Sequence, residues 1–152
     1  MTGILTKKRY KYATVYVDQA TRWGFIYFQK TASIEETMES KTLFEQAALQ
    51  RGVRIQGYHA DKGIFRANKW HNDCHTKRQT LTFAGVNAHH TNDIAEKRIR
   101  DLQDLTRAQL MHANNGWSQC ITANLWPYAM RMANEALNNT PSLVDNVKQT
   151  HY

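Results

Sequence analysis

The chain is poor in the residues that staple or interrupt small folds: of its 152 residues, two are cysteine and two are proline. Cys74 and Cys120 allow at most one bridge, which excludes a disulfide-dense scaffold. In a reducing compartment both read as idle or buried thiols. Long hydrophobic runs are also missing. No stretch approaches the roughly 20 apolar residues that a membrane-spanning helix needs, and Met1 to Tyr10 lacks the apolar block of a signal peptide. These absences lead to the expectation of an intracellular chain with no membrane partner. Acidic residues are the scarcer charge, 13 Asp plus Glu against 20 Lys plus Arg, for a formal net charge of +7. Such a surplus favours polyanions, nucleic acid foremost, without naming one. The length suits a single domain with a sizeable core.

Periodicity divides the chain into alternating elements. Residues 1–9 are short, polar and basic and read as a frayed or remnant start. Tyr10 to Val17 alternates as a strand rich in β-formers, Asp18 to Arg22 turns, and Trp23 to Gln29 is a second aromatic strand, together an antiparallel hairpin. Ser33-Ile34-Glu35-Glu36 has the capping-box pattern and opens a helix running to about Gln50. Its apolar positions are Ile34, Met38, Phe44, Ala47 and Ala48, and Gly52 supplies a left-handed stop. Val53 to Ala60 is a third strand, Asp61-Lys62-Gly63 a turn, and Phe65 to Cys74 a short helix or loop. Gln79 to Ala84 is a fourth strand, followed by the polar loop Gly85 to Thr91. A long helix starts near Asn92 or Asp93 and ends at Asn114-Asn115-Gly116. A last helix begins near Ser118, is disturbed by Pro127 and stops at Asn138-Asn139-Thr140-Pro141. Ser142 to Tyr152 reads as an unfinished tail. The order is an α/β layer plan, with a domain over 10–140 and a tail over 141–152.

Two carboxylates stand out in this order. Asp61 closes a strand, and Glu96 lies in the first turns of the long helix. Hard oxygen donors from separate elements suit Mg²⁺ or Mn²⁺, and phosphoryl transfer on nucleic acid commonly uses ions held this way. On a wheel of about 100° per residue, Glu96, Arg100, Gln103 and Arg107 form one stripe. Ala95, Ile99, Leu102, Thr106 and Ala113 form the apolar stripe beside it. A polar ridge that begins with a carboxylate and continues with Arg100 and Arg107, flanked by Lys97 and Arg98, suits a phosphate backbone. His89 and His90, in the loop before Glu96, are further candidates for DNA contact. A zinc reading of His71, Cys74 and His75 is disfavoured, because the spacing lacks clean ligand pairs.

These residues resemble the catalytic core of retroviral and retrotransposon integrases, specifically the copia type. Val15 to Trp23 resembles the hairpin between that family's second and third strands. His59-Ala60-Asp61-Lys62-Gly63 resembles the segment holding its second catalytic Asp. Asn87 to Arg98 resembles the loop and helix start carrying its catalytic Glu. Leu125-Trp126-Pro127-Tyr128-Ala129 and Asn138-Asn139-Thr140-Pro141-Ser142 resemble its Trp-Pro and Asn-x-Thr-Pro signatures, and the distance from Asp61 to Glu96 is close to the family's usual spacing. The resemblance covers roughly Tyr10 to Ser142. It implies a ribonuclease H-like mixed sheet flanked by helices, and a polynucleotidyl transferase that trims the 3′ ends of element DNA and joins them to target DNA. The family does this with an Asp, Asp, Glu triad and Mg²⁺ or Mn²⁺. Asp61 and Glu96 would then be catalytic and metal-holding, the partners would be element ends, target DNA and further copies of the chain, and the working compartment the nucleus.

The same resemblance exposes a gap. The family's first Asp lies on a strand upstream of the hairpin, central in the sheet, and this chain starts at about the point where that strand ends. Asp18 matches the non-catalytic Asp at the hairpin turn. Lys62 stands where the family has Asn, and Asp93 where it has Gly; Asp93 and Glu96 are spaced as a reciprocal cap. The expectation is therefore an N-terminally truncated core that lacks the first, central strand, carries an incomplete triad and has little or no strand-transfer activity. The alternative is a non-enzymatic basic module that binds nucleic acid.

Overall fold

The computed structural model describes residues 8–85 and 93–140, together with the backbone of 142–144 and 147–149. The chain separates into two compact units, one of residues 1–30 with 94–152 and one of residues 31–93.

In the first unit, β1 (Tyr12–Val17) and β2 (Gly24–Gln29) form the expected hairpin, in register from Tyr12 opposite Gln29 to Val17 opposite Gly24. The six-residue connection is shaped by Asp18, whose carboxylate accepts from the Thr21 amide at 2.7 Å and the Thr21 hydroxyl at 2.6 Å. Arg22 takes a left-handed φ of 64° there. Two helices complete the unit, α3 (Asp93–Gly116) and α4 (Trp126–Asn139). In α4 the buried Trp126, Ala129, Met130 and Ala133 recur at helical spacing, which makes one apolar stripe. That stripe joins Ala13, Phe28 and Leu102 in the core, with the Phe28 and Trp126 rings edge-to-face at 5.4 Å. Fully burying a side chain such as Leu102 or Met130 contributes about 1.5–3 kcal/mol. The Ser118 start expected for α4 is overturned. The helix begins at Trp126 after a 3₁₀ turn over Ala123–Leu125, and Pro127 sits in its first turn, where a missing N–H costs no helical bond. Within the segment read as an unfinished tail, β5 (Ser142–Val144) and β6 (Val147–Gln149) pair antiparallel.

In the second unit, Ser33 caps α1 (Ile34–Gln50) by accepting from the Glu36 amide at 3.3 Å. The box is not reciprocal, because Glu36 turns outward to the Thr31 amide and hydroxyl. The C-terminus closes with Gly52 at φ 76°, Gly52 N–H on the Leu49 carbonyl and Val53 N–H on the Ala48 carbonyl. This is the paired pattern of a Schellman stop. It also explains why the third strand is shorter than expected. With Val53 drawn back onto the helix, only β3 (Gly57–Ala60) pairs, in parallel, with β4 (Thr80–Phe83). Between them lie a 3₁₀ turn at Ile64–Arg66 and α2 (Asn68–Thr76), whose Trp70 and Cys74 are buried one turn apart. Rings of Phe44, Tyr58, Trp70 and Phe65 contact one another in series. The strands remain in separate pairs, and no ladder joins β1–β2 to β3–β4 among the described residues.

Candidate catalytic and nucleic-acid face

Asp61 follows directly on β3, at the carboxyl end of a parallel strand pair, and is exposed. Carboxyl ends of parallel strands are where open α/β sheets place ligand groups, because the loops there diverge and leave side chains free to converge on a ligand. Lys62, beside it, is exposed too. The parallel pairing is tight at its base: a Cβ at Gly57 would collide with Thr80 Oγ1, so only glycine lets β4 approach there. On the outer side of the pair, His59 Nδ1 and Thr82 Oγ1 share a hydrogen bond at 2.8 Å.

Glu96 lies on the first turn of α3 and is exposed, as are Lys97, Arg100, Gln103 and Arg107, while Leu102 and Thr106 are buried and Ala95, Ile99 and Ala113 are half-buried. The wheel derived from the sequence therefore matches the helix as folded, with the polar ridge outward and the apolar stripe inward. Glu96 and the bases Lys97, Arg100 and Arg107 share this one element; Asp61 belongs to the other unit. His89 and His90, with the rest of the 86–92 loop, lie outside the described residues.

Arg98, grouped in the sequence with the outward bases, turns inward and is 8% exposed. That corrects the expectation of a direct DNA contact. Its Nη2 donates to Asn134 Oδ1 at 2.7 Å, to the Asn134 carbonyl at 3.4 Å and to Asn138 Oδ1 at 2.5 Å. Both carboxamides in turn grip Gly24. Asn138 accepts from its N–H at 2.8 Å and donates to its carbonyl at 2.9 Å, and Asn134 donates to the same carbonyl at 2.8 Å. Burial pulls the Arg98 guanidinium down to about 10, only partly countered by Asp101. The helical period itself carried this signal: at about 100° per residue position 98 falls some 200° from Glu96 and next to Leu102, on the side of the apolar stripe and not of the ridge.

The second unit holds a charged cluster that sequence reasoning missed. Lys41 is fully buried, with its Nζ 2.5 Å from both Glu45 Oε1 and Asp73 Oδ2 and 2.8 Å from Gln79 Oε1. Lys77 bridges the same two carboxylates at 2.7 and 3.0 Å, and the Tyr58 hydroxyl donates to Glu45 at 2.9 Å. Burial pushes the Glu45 carboxyl up, but hydrogen bonds from Lys41, Lys77, Gln79 and Tyr58 outweigh it and hold the group at about 2. Asp73 is lowered by the same two lysines against its own burial. Lys41, Lys77, Glu45, Asp73 and Gln79 bond to one another within the cluster, which reads as a scaffold for α1, α2 and β4. The Cys74 thiol next to it is pushed up by burial and is thereby less reactive.

A divalent ion needs several oxygen donors on one spot. Among the described residues no group of three or more His, Cys, Asp or Glu side chains is gathered that could hold a metal. Asp61 and Glu96 have the right donor chemistry but supply two carboxylates only. Asp18 is engaged by Thr21. Among the described residues the donor set fits a metal centre in kind and not in number. No helix among the described residues is long and apolar enough to cross a membrane.

No protein-family model and no curated protein sequence matches the chain. Solved structures do. The HTLV-2 integrase catalytic core domain, in complex with magnesium in its trimeric form, superposes with a TM-score of 0.65 at 19% identity, over 96% of this chain and 86% of that one. The catalytic core domain of BIV integrase gives 0.60 at 20% identity, over 87% and 78%. A chain of the simian T-cell lymphotropic virus intasome, in complex with PP2A regulatory subunit B56 gamma, gives 0.68 at 16% identity; it covers 99% of this chain, which spans 50% of that one. At such identities the likeness is one of fold. The chain has the mixed α/β, ribonuclease H-like fold of retroviral integrase catalytic cores.

Proposed function

We propose that the chain is an integrase-core-like domain of a copia-type retrotransposon, that it binds DNA through the outer face of α3, and that this polypeptide alone lacks strand-transfer activity. The observation that carries the reading is the α3 ridge: Glu96, Lys97, Arg100 and Arg107 are all exposed on one helix, in a chain with the integrase-core fold. An array of bases along a helix tracks phosphates, and a carboxylate at its start lies where the family keeps its catalytic Glu. The ordered motifs from Val15 to Ser142, with Asp61 at a strand end and Glu96 on α3, support the copia-type reading.

The metal of this chemistry is Mg²⁺ or Mn²⁺, and HTLV-2 integrase cores are solved with magnesium. Asp61 and Glu96 would supply two of its ligands; bound, the ion would activate the attacking oxygen and stabilise the leaving one. Two carboxylates are fewer than the three the family uses, and Lys62 adds a cation beside one of them, so affinity for the ion is weak or absent, which is why binding rather than catalysis is proposed. The DNA partners are element ends and target DNA, the working state is a homo-oligomer, and the compartment is the nucleus.

The test is a Mn²⁺-dependent end-joining assay on this polypeptide alongside binding to a DNA duplex. Binding without joining is expected. Robust joining that Glu96→Gln abolishes would overturn the inactivity, and absence of DNA binding would overturn the reading itself. A second reading, a basic nucleic-acid module with no metal site, is favoured by the absence of a three-ligand group among the described residues. It prevails if Asp61→Asn and Glu96→Gln change neither affinity nor the response to Mg²⁺ while Arg100→Ala weakens binding.

A further inference from the structure

Two charged side chains are buried among the described residues, and they are compensated in different ways. Lys41 has two carboxylates. Arg98 has two carboxamides, Asn134 and Asn138, and its Nε is buried without a partner. Burying a guanidinium whose hydrogen bonds end on carboxamides, with Asp101 acting on it only through space, costs free energy that an apolar residue, such as Leu102 one turn along the same helix, would not incur. What Arg98 adds in exchange is geometric. All three of its hydrogen bonds leave from Nη2 and end on α4, and the two carboxamides that receive them hold the Gly24 peptide from both sides. Asn138 meets the Gly24 N–H and carbonyl as a neighbouring strand would, so the end of β2 is docked on α4 by side chains. Gly24 has no Cβ for a reason: one would stand 2.5 Å from Nη2, 2.7 Å from Nε and 2.7 Å from Asn134 Oδ1.

We infer that Arg98, Asn134 and Asn138 form a positioning lock around the Gly24 peptide that fixes the first turn of α3 against α4 and β2, and so sets the direction in which Glu96, Lys97 and Arg100 leave the helix. Arg98 is here a positioning residue that acts through its neighbours on the helix. The functional part of the inference rests on the DNA-binding reading above, whereas the lock itself does not.

Gly24→Ala tests it without changing charge, because the new methyl group displaces the guanidinium from a strand distant in sequence from α3. Loss of one charge-assisted hydrogen bond corresponds to about a tenfold effect. Amide exchange over residues 94–100 is expected to quicken by about that factor in Gly24→Ala and in Arg98→Met. Duplex affinity should fall several-fold, and the double variant should be no worse than the worse single one, since both break one network. Arg98→Lys, which keeps a single donor nitrogen, should restore part of the loss. Unchanged exchange in 94–100 would overturn the lock. A lower melting temperature with unchanged affinity of the folded variants would reduce it to a structural contact and overturn its role in the binding face. If the wild-type chain binds no DNA, the functional reading fails while exchange still decides the lock. Should Gly24→Ala not fold, Asn134→Ala, which adds no volume, carries the same measurements.

Discussion

Lys41 shows how a single residue can decide the stability of a small unit. Its ammonium is wholly out of water, lies 4.9 Å from the Tyr58 ring centroid and 5.6 Å from that of Trp70, and touches Glu45, Asp73 and Gln79. Removing one partner from such a set leaves the others buried and uncompensated, so Lys41→Ala is expected to cost about 3–5 kcal/mol, read from denaturant melts. The cluster also carries a pH signature. Glu45 is depressed from its ordinary 4.5 to about 2. A depressed carboxyl contributes stability that is complete above its unfolded value and is lost as pH falls toward the folded one. Between about pH 4.5 and 2 the chain should therefore lose stability on the order of 3 kcal/mol from this group. Glu45→Gln should be less stable at neutral pH and should flatten that acid limb; an acid limb identical to wild type would show that Glu45 is not its source.

At the scale of elements, stop and start signals were legible where the chemistry is local. Ser33 and Gly52 bound α1 as their sequence pattern says, because a cap and a left-handed turn need only a few neighbouring atoms. At Gly52 nothing lies within 4 Å of an added Cβ, so Gly52→Ala should be disfavoured by its φ of 76° alone, at about 1 kcal/mol, with Gly52→Asn milder. A melting shift no larger than that of an exposed mid-helix substitution would refute this. Elements set by distant partners were read less well. The inner face of α1 is Thr37, Ser40, Lys41, Phe44 and Ala48 in place of the expected Ile34, Met38 and Ala47, because a polar cluster 32 residues away in sequence satisfies Lys41. A hydrophobicity count gives a lysine no reason to point inward. Val53 to Ile55 stays out of the ladder because the Val53 N–H is turned back onto the Ala48 carbonyl of α1. The site divides in the same manner: the ridge on α3 and the inward side of position 98 both follow from helical period, while the partners that hold Arg98 there, Asn134, Asn138 and Gly24, are connected by no local pattern.

For the whole molecule the useful quantity is where the charge lies, not its total of +7. Along α3 the bases Lys97, Arg98, Arg100 and Arg107 are matched by Asp93, Glu96, Asp101 and Asp104, so the helix as a unit is neutral. The surplus sits largely in residues 51–78, where Arg51, Arg54, Lys62, Arg66, Lys69, Lys77 and Arg78 are exposed and face only Asp61 and Asp73 in sequence. Salt dependence separates the two sources. Each phosphate neutralised on duplex DNA contributes about −0.9 to the slope of log affinity against log salt concentration, so a face made by Lys97, Arg100 and Arg107 predicts a slope of about −3. Replacing both Arg100 and Arg107 by Ala should bring the slope to about −1 and weaken binding similarly on every DNA sequence, because phosphate contacts carry no base information. A wild-type slope of about −6 that this double variant leaves unchanged would place the DNA on the 51–78 bases instead, and would detach DNA binding from Glu96 altogether.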